Sequence, residues 1–237
     1  RFVKNKRAMI ALVIFLIIAL MAIFGPMISP YSYDGMDTAI MNQRPSTAHW
    51  FGTDRFGRDL FTRVLYGARI SLMVGIVTAV INTIIGVIYG GIAGYVGGRV
   101  DMWMMRLTDI LYSIPELLYI ILIMLIFGSN VRSIIIGVCV AGWISMARMV
   151  RSQIITLKEQ EFALAAFVLG ANSRRILFKH LIVNSLGTII VTITLMIPQA
   201  IFMEAFLSFV GVGISAPMAS LGTLAQDCLL YTSPSPR

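Results

Sequence analysis

Two carboxylates, Glu116 and Glu204, stand in or beside long apolar runs, and four charges, Asp54, Arg55, Arg58 and Asp59, crowd one short segment. A carboxylate in an apolar medium is costly to ionise, so it marks either a proton relay or a structural contact that reaches interfacial water or an arginine. The four charges at 54–59 either meet a ligand or partner, or pair with one another in a folded lid. A third cluster lies in EFALAAFVLGANSRRILFKH, residues 161–180, where Glu161, Arg174, Arg175, Lys179 and His180 interrupt the apolar pattern. Bond-making chemistry is not indicated. His49 and His180 are far apart in the chain, and Cys139 and Cys228 have no CxxC or Cys/His spacing. Neither a disulfide, nor a metal, nor a cofactor, nor a catalytic set is expected.

The elements that must hold these groups are set by composition. The 237 residues are 58% hydrophobic and 13% charged, against about 25% charged in a soluble domain. Several apolar runs reach the roughly 20 residues a helix needs to cross a bilayer. The expected fold is all-α, a polytopic transmembrane helical bundle; alternating strands of a barrel type are absent. Spans are expected at about 8–28, 71–98, 110–127, the run around SIIIGVCVAGWISMA, and 185–210. Pro115 and Pro198 are expected to kink the third and fifth, and Arg99, Asp101, Arg106 and Asp109 to mark a short loop. This layout puts twelve Lys and Arg on the side of the amino-terminal tail and six on the other, which points to a cytoplasmic amino terminus. The net charge of +8 is thus explained by orientation, and nucleic acid is excluded as a partner because no single basic patch collects it. Gly75, Gly86, Gly90, Gly91 and Gly94 recur at near-helical spacing, as close helix packing in lipid requires.

Within 161–180, Phe162, Ala165, Ala166 and Leu169 form an apolar stripe on a short helix. Gly170 ends it, and Asn172 or Ser173 caps a second, basic helix. Such a hairpin either rests on headgroups or docks a soluble partner.

The hairpin resembles the coupling loop of ABC-importer permeases, with Ala165-Ala166, Gly170 and the sequence Ile176, Lys179, His180. Leu164 stands where many members have Glu, and Val183 where many have Pro. HWFGTDRFGRDLFTRVLYGARISL at 49–72, IPELLY at 114–119, EAFLSFVGVG at 204–213 and APMASLGTL at 216–224 resemble motifs of the peptide and nickel permease family, in its order. The resemblance runs from about residue 5 to 227 and is nearest to C-type subunits of peptide importers. It implies a type I ABC importer permease in a prokaryotic inner or plasma membrane, with peptide as substrate and oligopeptides ahead of dipeptides or nickel. It further implies a second permease subunit, two cytoplasmic ATPases and an extracytoplasmic binding protein. The ATPases are separate because no GxxxxGK[ST] loop is present here. By that likeness Glu161, Phe162, Ala165, Ala166, Leu169, Gly170, Arg174, Lys179 and His180 belong to the ATPase-coupling loop. Asp54, Arg55, Arg58, Asp59, Glu116 and Glu204 belong to a substrate pathway or external lid. The organisation expected is a tail and first span at 1–30, an external segment at 31–70, and a permease core at 71–227 with its coupling loop at about 152–184. The stretch 228–237, CLLYTSPSPR, is expected to be a foreign or truncated tail in place of a sixth span. The alternative function is an ion-gradient-driven secondary transporter using the two carboxylates, for which no internal repeat is visible. A non-transporting membrane scaffold is the remaining class.

Overall fold

The computed structural model describes residues 5–215 and 217–232. It contains ten α-helices among them: α1 Lys6–Ile28, α2 Leu60–Val96, α3 Gly98–Tyr112, α4 Glu116–Phe127, α5 Val131–Ala141, α6 Trp143–Lys158, α7 Glu161–Val168, α8 Ser173–Arg175, α9 Ile182–Phe209 and α10 Leu221–Thr232. A π-helical segment, Ile176–Leu181, joins α8 to α9. Four helical stretches among the described residues are long and apolar enough to cross a membrane; the bent pair α3–α4 passes the same test of length and apolarity only when its two helices are taken together.

The chain divides into two compact units. The first holds residues 1–74, 129–131 and 201–237. Here α1 starts on the Asn5 side chain, whose Oδ1 accepts from Ala8 N, and exposes apolar side chains on nearly every side, with Ala22 buried. Its last turn is tied to α2, where the Ser29 and Thr62 hydroxyls are 2.6 Å apart and Tyr33 stacks on Tyr66 at 3.8 Å.

The second unit holds residues 75–128 and 132–200. Its centre is a seam of α2 on α6. A Cβ at Gly86 would strike Met146, one at Gly90 the backbone of Ala147, and one at Gly94 the Arg151 carbonyl and Ile154. Three glycines at i, i+4 and i+8 therefore bring the two helices together backbone to backbone, as small residues do in lipid. Met146, Val150 and Ile154 then continue the packing into a buried cluster with Ala163, Ala166, Ile176, Leu177, Leu181 and Ile189.

Several expectations are corrected. The second span starts at Leu60, so the external segment gives way to helix before Arg69. The loop expected around Asp101 is helix α3, because Asp101 and Asp109 find Arg151 and Arg148 on α6. The kink expected at Pro115 is present and amounts to a break at Ser113–Pro115, where proline disfavours helix in the residue before it, and α3 and α4 diverge by 72°. Pro198 lies inside α9, Ile182–Phe209. Cys228 to Thr232 prolong α10, and residues 233–237 of the expected foreign tail lie outside the described residues.

Gly90→Leu is expected to lower stability in detergent by about 1–3 kcal/mol through overpacking at the seam. Gly187→Ala, at a helical glycine with nothing within 4 Å, is expected to be neutral or stabilising by up to about 1 kcal/mol. Thermal unfolding of the two variants checks both.

Candidate functional site

The hairpin at 161–180 is built from strong local rules. α7 ends in a Schellman arrangement in which Ala171 N donates to Ala166 O and Gly170 N to Phe167 O, both at 3.0 Å. Gly170 supplies the required left-handed backbone, φ 80°. Asn172 then caps the next turn, its Oδ1 accepting from Arg175 N at 2.8 Å. The side of α7 that is buried differs from the expected stripe. Ala163 and Ala166, at i and i+3, face the cluster formed by α6 and the π segment. Ala165 is exposed together with Phe162, Leu164, Phe167, Val168 and Leu169. Ala163 and Ala166 share one buried cluster with Val150, Ile154, Ile176 and Leu177, while the larger apolar groups of α7 point away from it. Leu169 is 86% exposed and Val168 82%, values that make α7 a greasy tip on a packed base. Glu161 lies in the first turn of α7, favourable to the helix dipole. Arg174, Arg175 and Lys179 are exposed and His180 is half-buried. The basic second helix expected from sequence is one turn of α8 followed by the π segment, which runs on into α9.

Beside this, two ion pairs and one lysine–carbonyl bond brace the second unit. Arg151 grips Asp101 with two bonds of 2.5 Å, and Arg148 reaches Asp109 at 2.8 Å while lying over the Tyr112 ring. Lys158 donates to Tyr95 O at 3.1 Å, satisfying a carbonyl in the last turn of α2. The third contact is thus charge to carbonyl rather than charge to charge.

In the first unit, the segment between α1 and α2 is held by two carboxylates. Asp54 accepts from Phe56 N, from Arg58 N and, at 2.6 Å, from Arg58 Nε, and Arg63 Nε stands 3.8 Å away. Arg55 and Arg58 both lie over the Phe56 ring. Asp59 accepts from His49 Nδ1 at 2.9 Å through one oxygen, and from the Thr62 amide and hydroxyl through the other. Asp59 thereby caps α2 and anchors the loop to it. The charges at 54–59 are engaged with one another and with their neighbours.

Glu204 corrects the expectation that it reaches interfacial water or an arginine. It is fully buried, and Ser71 Oγ and Ser208 Oγ donate to its two oxygens at 2.7 and 2.8 Å. Ser208 lies one turn beyond Glu204, a spacing visible in the sequence, whereas Ser71 is 133 residues away and was not foreseeable from pattern. Glu116 sits half-buried in the first turn of α4, behind Pro115. His49, Thr62 and the α3 aspartates were likewise missed as positioning groups. Among the described residues no cluster of three or more potential metal ligands occurs.

A multi-pass helical membrane protein with an apolar-tipped hairpin between two long apolar helices is the class these features define. The family model for the binding-protein-dependent transport system inner membrane component matches residues 86–228, and that for the N-terminal transmembrane domain of oligopeptide transport permease C matches residues 1–45. The chain is 51% identical over 229 residues to the oligopeptide transport system permease protein OppC of Bacillus subtilis strain 168, covering 97% of this chain and 75% of that protein. It is 51% identical to the dipeptide transport system permease protein DppC of the same organism, covering 97% and 72%, and 46% identical to OppC of Escherichia coli K12, covering 96% and 76%. The chain belongs to the binding-protein-dependent transport permease family, a family of non-catalytic membrane subunits that work within larger transporter complexes.

Asp59→Ala removes the cap of α2 and strands both His49 and Thr62. It is expected to cost about 2–4 kcal/mol, from a lost cap plus unsatisfied buried donors. Arg55→Ala, at an exposed side chain, is expected to stay within about 1 kcal/mol. Denaturant or thermal unfolding of the purified protein measures the difference.

Proposed function

We propose that this chain is the C-type permease subunit of an ATP-driven peptide importer, taking oligopeptides in preference to dipeptides. It would form half of the membrane pathway with a second permease subunit, receive peptide from an extracytoplasmic binding protein, and be driven by two cytoplasmic ATPases. The observation that carries this reading is the hairpin: an exposed apolar tip, Phe162 to Leu169, on a base of buried small residues. Water-exposed leucine and valine on a helix between two spans fit a docking surface for a soluble subunit. The base explains how movement would pass on. Ala163 and Ala166 contact residues of α6 and the start of the π segment, so displacement of α7 moves a packed body rather than a loop. The relatives' names support peptide as the substrate class, and the oligopeptide-type amino-terminal region favours longer peptides. The lysine and arginine distribution supports a cytoplasmic amino terminus, which puts the hairpin on the ATPase side. The segment at 49–63 would then be an external lid stiffened by Asp54 and Asp59.

Leu169→Asp puts a charge on the docking tip without touching the packed base, and Gly170→Asp disturbs its termination. Both are expected to reduce ATPase co-purification from the native membrane by at least about tenfold, the equivalent of an unpaired charge at an apolar interface. Peptide uptake by the same membranes should fall in parallel, with tetrapeptides out-competing dipeptides in the unaltered protein. Unchanged ATPase recovery in Leu169→Asp would remove the hairpin from the docking role.

A further inference from the structure

Helix α3 has two unlike sides. One is fixed to the rest of its unit by Asp101 on Arg151, by Asp109 on Arg148, and by the Tyr89 hydroxyl donating to Met104 O at 2.8 Å, with Thr108 fully buried between them. The other side carries Val100, Trp103, Leu107 and Ile110, all exposed, Trp103 at 70%. At 3.6 residues per turn these four fall in one continuous sector. Arg99 and Arg106 border that sector, both exposed and without an acidic partner among the described residues. Beyond the arginines come Met102 and Asp109. A circuit around the helix therefore reads protein contact, acidic edge, basic edge, apolar sector and protein contact again. That order matches a helix lying at a bilayer surface, with its apolar sector among acyl chains and its cations at the phosphates.

The inclination of α3 agrees. Asp101 and Asp109 are separated by about 12 Å along α3, yet their partners Arg151 and Arg148 are separated by only about 4.5 Å along α6. The helix thus crosses α6 steeply instead of running beside it. Its 72° divergence from α4 and the turn at Gly97–Gly98, both glycines at positive φ, separate it from the helices before and after it. Trp103 on the apolar sector is the residue type that favours the headgroup level.

We propose that α3 is an interfacial helix that seats Val100, Trp103, Leu107 and Ile110 in the leaflet on the hairpin side and binds anionic phospholipid through Arg99 and Arg106. Because Arg148 and Arg151 tie α3 to α6, which also packs on α7, headgroup charge bears on the same body that carries the hairpin. Identification of that leaflet as cytoplasmic rests on the orientation proposed above; the lipid contact itself does not.

The test reconstitutes the full chain with its associated subunits into phosphatidylcholine vesicles containing about one-fifth phosphatidylglycerol with a photoactivatable acyl chain, or the same fraction of labelled phosphatidylcholine. Crosslinks are mapped by peptide. Labelling across 100–110 is expected to be roughly two- to fivefold higher with the anionic lipid, and to fall to parity in Arg99→Gln/Arg106→Gln. Labelling of α1 serves as the folding control and should not differ between variants; the single variant Arg106→Gln replaces the double one if that control fails. No labelling of α3, as when a protein subunit covers it, overturns the proposal, as does equal labelling by both lipids or a preference that survives loss of the arginines. The readout is independent of transport, so failure of the importer reading would leave it interpretable.

Discussion

The absence of three side chains on one face of α2 is the constraint from which the second unit follows. Gly86, Gly90 and Gly94 let α6 approach until its backbone occupies the space where Cβ atoms would stand. Hydrophobicity does not distinguish helix from lipid in a bilayer, so close dispersion contact must do this work. Once α6 is fixed, the remaining geometry is determined by what projects from it. Arg148 and Arg151 reach α3, Lys158 reaches the end of α2, and Val150 and Ile154 floor the hairpin. A bulky residue in the seam would therefore shift the clamp and the hairpin together.

Polar groups follow a second constraint, that each must find a partner where water is absent. Both units use opposite charges, and the first also uses hydroxyls. In the second unit, charge is met by opposite charge near helix ends, where side chains are partly solvated. In the first, Glu204 lies fully buried with only hydroxyl donors beside it, one from α2 and one from its own helix. That arrangement binds α2 to α9 through a short polar contact and leaves no cation in attendance. It fits a structural tie, since each oxygen accepts one serine hydroxyl and the bond from Ser71 joins α2 to α9. Asp59 does comparable work between α2 and the segment before it, where a carboxylate caps a helix and orients a histidine at once.

Much of this was legible in the residues. Long apolar runs announced the spans, the glycine spacing announced the seam, and Gly170 with Asn172 announced the hairpin, since each is a local rule that needs no knowledge of distant chain. The failures are equally local in cause. α3 was read as a loop because its charges suggested solvent, whereas two of them are matched by arginines roughly forty to fifty residues away. The α7 stripe was placed one step off because Phe162, Ala165 and Leu169 satisfy helical periodicity as well as Ala163 and Ala166 do. Periodicity alone ranks faces by hydrophobicity; the fold selected by size, burying methyl groups and exposing the larger side chains. Ser71 beside Glu204 could not be read at all, because nothing in the sequence relates two positions 133 residues apart.

The size-based inversion in α7 leaves an apolar helix face uncovered in this chain. Burying Phe167, Val168 and Leu169 against α6 would require a groove that the Ile154 and Leu177 side chains already fill. Leaving them exposed costs hydration of apolar surface, a cost of about 25 cal/mol per Å² that is recovered only when another surface covers them. The Schellman turn at Gly170 fixes the tip, so little ordering entropy opposes that covering. A preformed, exposed apolar tip on an incompressible base is suited to passing displacement in either direction.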